Sequence, residues 1–167
     1  FMYGQYKRLR DENTGVLTGK GIGWGGSLIR PEATGYGALY YADELLKDFN
    51  DTIEGKRISI SGYGNVAWGA AIKATQMGAK VVTISGSKGY VLDEDGVNTK
   101  EKWDYMLMMR ATNSGDLRGY AEEFGAKFFP GERPWNVPVD IAMPCAYQNE
   151  LNKENAEALV KNGVKYI

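Results

Sequence analysis

The chain contains no histidine, so no imidazole can serve as general base, proton shuttle or metal ligand. A single cysteine, Cys145, leaves no partner for an internal disulfide, which agrees with a reducing, cytoplasmic setting. Without a Cys/His cluster a structural zinc site has no ligands. No apolar run reaches the roughly 20 residues that span a bilayer, and no secretory signal pattern is present. An excess of positive charge is also missing. Lys and Arg number 20 against 21 Asp and Glu. A nucleic-acid binder needs a basic face to displace counterions, so neither nucleic acid nor membrane is an expected partner.

What is present suits a globular α/β chain. Apolar residues make up 43% of 167 positions, enough for a core of about one domain. Glycine is abundant, with 22 residues, about twice the usual share. Residues 1–11 read as helix and 14–27 as a glycine-dense loop. Arg30-Pro31-Glu32 then opens a helix that continues to about Phe49, with Pro at its first position and Glu at the positive end of its dipole. Residues 57–61 and 80–85 read as strands and 65–77 as a helix stopped at Gly78. Tyr90-Val91-Leu92 and Gly96-Val97 suggest a small hairpin around a solvated Asp93-Glu94-Asp95 turn. Asn98 with Glu101 resembles a capping box for a helix to about Arg110. A helix over 117–124, strands at 127–129 and 140–143, a helix at 153–161 capped by Asn152, and a last strand at 164–167 complete the order. The chain starts without Met and ends inside an expected strand, so both ends read as cuts in a longer protein. Alternating strands and helices imply βαβ units.

The strand at 57–61 runs directly into Gly62-Tyr63-Gly64-Asn65-Val66-Ala67 and then a helix. This G-x-G-x-x-A pattern is a permitted form of the dinucleotide fingerprint. Gly62 allows the sharp turn, Gly64 lets a pyrophosphate approach the backbone, and Ala67 lets helix and strand pack closely. Unpaired N–H groups at the helix start would face the anion. The flanking strands supply the context that the triplet needs. The expectation is a Rossmann-like, doubly wound α/β fold with a mostly parallel sheet and helices on both faces. Residues 1–55 would lead into a dinucleotide-binding domain at 56–167.

The tip of the second strand reads Ser85-Gly86-Ser87-Lys88-Gly89. An acidic residue there would bond the ribose 2′-hydroxyl of NAD. This tip has no carboxylate, and Ser87 with Lys88 could meet a 2′-phosphate. The reading leans to NADP, with NAD as the other possibility.

The stretch from Gly25 to Gly37, with its R-P-E-A-T-G-Y-G string, closely resembles the segment entering the cofactor domain of hexameric glutamate dehydrogenases. Gly62 to Ala67, Phe129-Pro130-Gly131-Glu132, and Pro144-Cys145-Ala146 with Gln148-Asn149 are similar to that family too. The resemblance implies that Arg30 and Thr34 lie near the nicotinamide. It implies that Gly64, Asn65 and Val66 meet the pyrophosphate and that Gly86, Ser87 and Lys88 sit by the adenosine ribose. Ala146 and Asn149 would line the nicotinamide half of the cleft. Tyr147 departs from the small hydroxyl residue usual between Ala146 and Gln148. The parent enzyme would deaminate L-glutamate to 2-oxoglutarate and ammonium as a homohexamer. Its substrate domain, with the catalytic groups, would lie outside this chain, leaving residues 1–167 without activity of their own.

Two other readings stay open. One is a leucine, phenylalanine or valine dehydrogenase, which shares the layout; the string and the long 86–135 segment favour glutamate. The other is a non-catalytic dinucleotide-binding module. Cys145 reads as a small buried filler with no base to activate it. Trp24, Trp68, Trp103 and Trp135 read as packing.

Overall fold

The computed structural model describes residues 1–112 and 115–167. They form two compact units, residues 1–30 and 31–167. In the first, helix α1 (Met2–Arg10) carries one buried side chain, Tyr3. Its hydroxyl donates to Asn13, and Lys20 Nζ stands 4.7 Å from its ring centroid. The loop beyond closes on itself, with the Ser27 amide donating to the Thr18 carbonyl at 2.8 Å. Trp24, in a 3₁₀ turn at Ile22–Trp24, is exposed, contrary to its reading as a packing residue.

The second unit is an α/β fold built on a five-stranded sheet. Its elements are α2 (Ala33–Asp48), β1 (Arg57–Ile60), α3 (Asn65–Gln76), β2 (Lys80–Gly86), β3 (Gly89–Leu92), α4 (Lys100–Thr112), α5 (Arg118–Phe124), β4 (Lys127–Pro130), β5 (Ile141–Met143) and α6 (Lys153–Lys161). The spatial order is β4-β3-β2-β1-β5. β1 pairs in parallel with β2 and with β5. β3 pairs antiparallel with both β2 and β4. Four strands therefore run the same way and β3 alone runs against them.

This arrangement corrects the small hairpin expected at 90–97. Val97 forms no strand; its amide bonds the Val81 carbonyl at 2.8 Å. The hairpin is β2–β3, turned by Ser87 and Lys88. Nor is Asp93 in a solvated turn. It is buried at 2% exposure, and its carboxylate accepts the Asp95 and Gly96 amides at 3.2 Å. Thr99, not Asn98, bonds the first turn of α4, accepting the Lys102 amide at 3.3 Å. The expected last strand reduces to one parallel bridge, Ile141 to Tyr166.

Apolar side chains pack on both faces of the sheet. Ile58, Ile60, Val91 and Ile141 join the main core with Leu39 and Leu46 of α2, the α3 alanines, and Met106 and Tyr120. Val82 and Tyr90 pack against Val137 and Val139, and Ala142 packs against Trp135 and Leu159. Small residues set the spacing on the main-core side. Ala67, Ala70, Ala71 and Ala74 of α3 are all fully buried, so the helix lies close to the strands. Gly35 and Gly69 bring α2 and α3 into backbone contact: a methyl group on Gly69 would lie 2.7 Å from the Glu32 carbonyl oxygen.

Candidate functional site

The carboxyl end of β1 is held by hydroxyl groups from β2. The β1–β2 register shifts between Ile58 and Ser59. Thr83 spans the irregularity, its hydroxyl accepting the Ile60 amide and donating to the Ile60 carbonyl, both at 3.0 Å. Two residues on, Ser85 Oγ accepts the Gly62 amide at 2.8 Å while the Ser85 amide donates to the Gly62 carbonyl at 3.1 Å. Gly62 is thereby clamped at φ 85, a backbone region that disfavours any side chain. A Cβ there would also stand 3.1 Å from the Cys145 carbonyl oxygen.

Gly64 is the N-cap of α3, in extended geometry, and no side chain caps this helix. The first helix amides therefore lack intrahelical partners. Among the described residues, no atom beyond its chain neighbours lies within 4 Å of where a Gly64 Cβ would stand. The uncapped amides and the positive end of the helix dipole suit an anion. They open into a cleft of about 460 Å³ at the carboxyl ends of β1, β2 and β5.

The structure brings Gly62, Gly64, Asn65, Val66, Gly86, Ser87 and Ala146 together in the walls of this cleft. Lys88, Thr34 and Asn149 do not line it, and Arg30 falls in the other compact unit. Thr34 lies exposed in the first turn of α2. Asn149 is exposed and left-handed, at φ 57. Lys88 is exposed at the β2–β3 tip, with Nζ 3.4 Å from Asp116 Oδ2. That contact corrects the reading of a tip without a carboxylate. Asp116, far away in sequence, stands beside Lys88 and also bonds Arg118 Nη2 at 2.5 Å. The arginine holds the Asp116 carboxyl well below the usual carboxylate range.

Sequence reasoning missed two cations of the cleft, Arg110 and Arg133. Arg110 ends α4. Arg133 follows β4, donates to the Gly86 carbonyl at 3.2 Å and lies 5.8 Å from the Tyr147 ring centroid. It thus touches both the Gly86 end of the cleft and the Tyr147 side. Neither carries a local signal, because each reaches the cleft from a segment distant from the glycine turn. Cys145 lines the cleft but is no nucleophile. Burial, and then the charge of Glu150, push its thiol up to about 12.

A family model described as glutamate/leucine/phenylalanine/valine dehydrogenase matches residues 25–167. The chain belongs to this family. It is 53% identical, over 99% of its length, to an NAD-specific glutamate dehydrogenase of Clostridium symbiosum, covering 37% of that protein. It is 50% identical, over its full length, to an NADP-specific glutamate dehydrogenase of Haemophilus influenzae, again covering 37%. A solved glutamate dehydrogenase structure superposes with a TM-score of 0.91 at 53% identity, over 99% of this chain and 37% of that one. The chain therefore spans little more than a third of the glutamate dehydrogenases it matches. Among the described residues, no helix is long and apolar enough to cross a membrane.

Proposed function

We propose that residues 31–167 are the dinucleotide-binding domain of a glutamate dehydrogenase that uses NAD or NADP. The parent protein would convert L-glutamate to 2-oxoglutarate and ammonium. One observation carries the reading: an uncapped α3 N-terminus opening through a side-chain-free Gly64 into a cleft edged by Arg110 and Arg133. The names of the relatives support the substrate and both cofactors.

When bound, the nicotinamide supplies hydride transfer, while the chain supplies position and electrostatics. The amides of Asn65 and Val66 meet the pyrophosphate, and the two arginines offset its charge. Gly86 and Ser87 face the adenosine ribose. Ala146 borders the nicotinamide half, with Asn149 in the same loop. On this reading the groups that bind and deprotonate glutamate would lie in the parent protein outside residues 1–167.

The Lys88–Asp116 pair bears on cofactor choice. Asp116 partly offsets the charge by which Lys88 attracts a 2′-phosphate, so the tip neither requires nor repels one; acceptance of both cofactors follows. Calorimetric titration of the 167-residue chain with NAD and NADP, each at two salt concentrations, tests this. Both bind, and NADP weakens more steeply with salt. Failure of both to bind overturns the domain assignment. Equal, salt-insensitive binding overturns the role of Lys88.

A further inference from the structure

Glu150 is a buried acid that the binding scheme above leaves unused. It sits in the loop after β5, only 9% exposed. Its Oε1 accepts the Ser61 hydroxyl at 2.7 Å and the Ala146 amide at 3.0 Å. Ser61 Oγ in turn accepts the Cys145 amide at 2.9 Å. One carboxylate oxygen thus ties the end of β1, beside the glycine turn, to the loop that follows β5. It also closes residues 146–150 into a single turn, with Asn149 held left-handed inside it. The other oxygen, Oε2, is buried with no hydrogen-bond partner among the described residues. A buried orphan acceptor is costly, so fold stability alone gives little reason to keep an acid here. Ala146 and Tyr147, inside this turn, line the cleft; Gly86 and Ser87 line it too, from the end of β2, and take no hydrogen bond from Glu150 among the described residues.

We infer that Glu150 is a positioning residue, which sets the nicotinamide-side wall of the dinucleotide cleft through Ser61 and the Ala146 amide. The inference rests on the dinucleotide reading and adds a residue to it. Without the ties, the 145–150 loop samples several conformations. If the binding-competent one falls to about a tenth of the population, affinity for a ligand touching that wall falls about tenfold. A ligand confined to the adenosine half loses nothing.

NAD and ADP separate these cases, since ADP lacks the nicotinamide half. Calorimetry on the 167-residue chain and on Glu150→Ala is the test, with folding checked by thermal melting. NAD binding is expected to weaken about tenfold and ADP binding less than about twofold. Glu150→Gln keeps a carbonyl acceptor for both donors and brings NAD affinity most of the way back. Ser61→Ala removes one tie and shows the same split at smaller size, which covers failure of Glu150→Ala to fold. Parallel weakening of NAD and ADP, or no change in either in a folded variant, overturns the inference while leaving the dinucleotide reading intact. If the unmodified chain binds neither ligand, both fall.

Discussion

Gly35 of α2 lies against the Ala70 amide of α3 so closely that a methyl group on Gly35 would stand 2.3 Å from that nitrogen. Backbone touches backbone across the helix pair, and no side chain fits between. Gly35→Ala forces the helices apart and costs about 1–3 kcal/mol. Gly37, two residues on in the same helix, has no described neighbour outside its own helix backbone within 4 Å of its would-be Cβ. There Ala gains about 0.5–1 kcal/mol from helix propensity. Urea denaturation of the two variants should give shifts of opposite sign; the same sign for both would refute the contact.

The two glycines of the turn separate folding from binding. Gly62 has φ 85 and crowds the Cys145 carbonyl, so Gly62→Ala destabilises by about 1–2 kcal/mol. Gly64 has φ −77 and open space around it. Gly64→Val therefore stays folded, with a modest loss from the poorer N-cap, and loses NAD and NADP binding, because the side chain enters the space proposed for the pyrophosphate. A folded Gly64→Val that binds as well as the unmodified chain refutes that placement.

Lys102 and Asp93 form a buried ion pair at 2.7 Å, their side chains 8% and 3% exposed. Tyr120 donates to the same carboxylate at 2.9 Å. Lys102→Met leaves the acid uncompensated and costs about 3–5 kcal/mol. Adding Asp93→Asn removes that charge, so the double variant loses less than the sum of the two single ones. Additive losses in a denaturation cycle would show the pair to be uncoupled.

The raised Cys145 thiol makes the native protein slow to alkylate. With its value at about 12, against about 8.5 for a free cysteine, the reactive thiolate is scarce at pH 8. Iodoacetamide should label the native chain more than about a hundredfold slower than the denatured one. Equal rates would contradict the buried setting of the sulfur.

Asp51 gives the fold an acid-sensitive anchor. Its carboxylate pairs with Lys56 at 2.7 Å and accepts the Tyr166 hydroxyl at 3.1 Å. Lys56, and then the Thr52 amide, bring its pKa down to about 2. The folded value lies below the unfolded one, so the contribution is complete above about pH 4 and is lost as pH falls towards 2. Asp51→Asn should lower the denaturation midpoint at pH 6 and leave it little changed at pH 2. A gap of equal size at both pH values would rule out the linkage.

Much of this molecule is legible in its local chemistry. The turn at 62–67 follows from two glycines and a small residue between a strand and a helix. Asn152 caps α6, with the Asn155 amide 2.8 Å from its side-chain oxygen, as an Asn ahead of a polar helix suggests. What escaped depends on long-range pairing. The place of β4 in the sheet rests on Phe128 and Phe129 pairing with Val91 and Tyr90 of β3, nearly 40 positions away. Arg133, Asp116 and Glu150 reach the site from separate loops, where no periodicity marks a buried or inward-facing charge. The hydroxyls of Thr83 and Ser85 read as ordinary strand residues, yet both bond across to the end of β1.

The reversal of β3 also bears on how such a protein can change. No helix leaves the end of β2; the chain doubles back through Ser87 and Lys88, both exposed. These two positions can be exchanged, or a residue added between them, without disturbing a helix or the core beneath. On the dinucleotide reading proposed above, the choice between two nucleotide currencies would rest with an outlying bend that selection can rewrite at little structural cost.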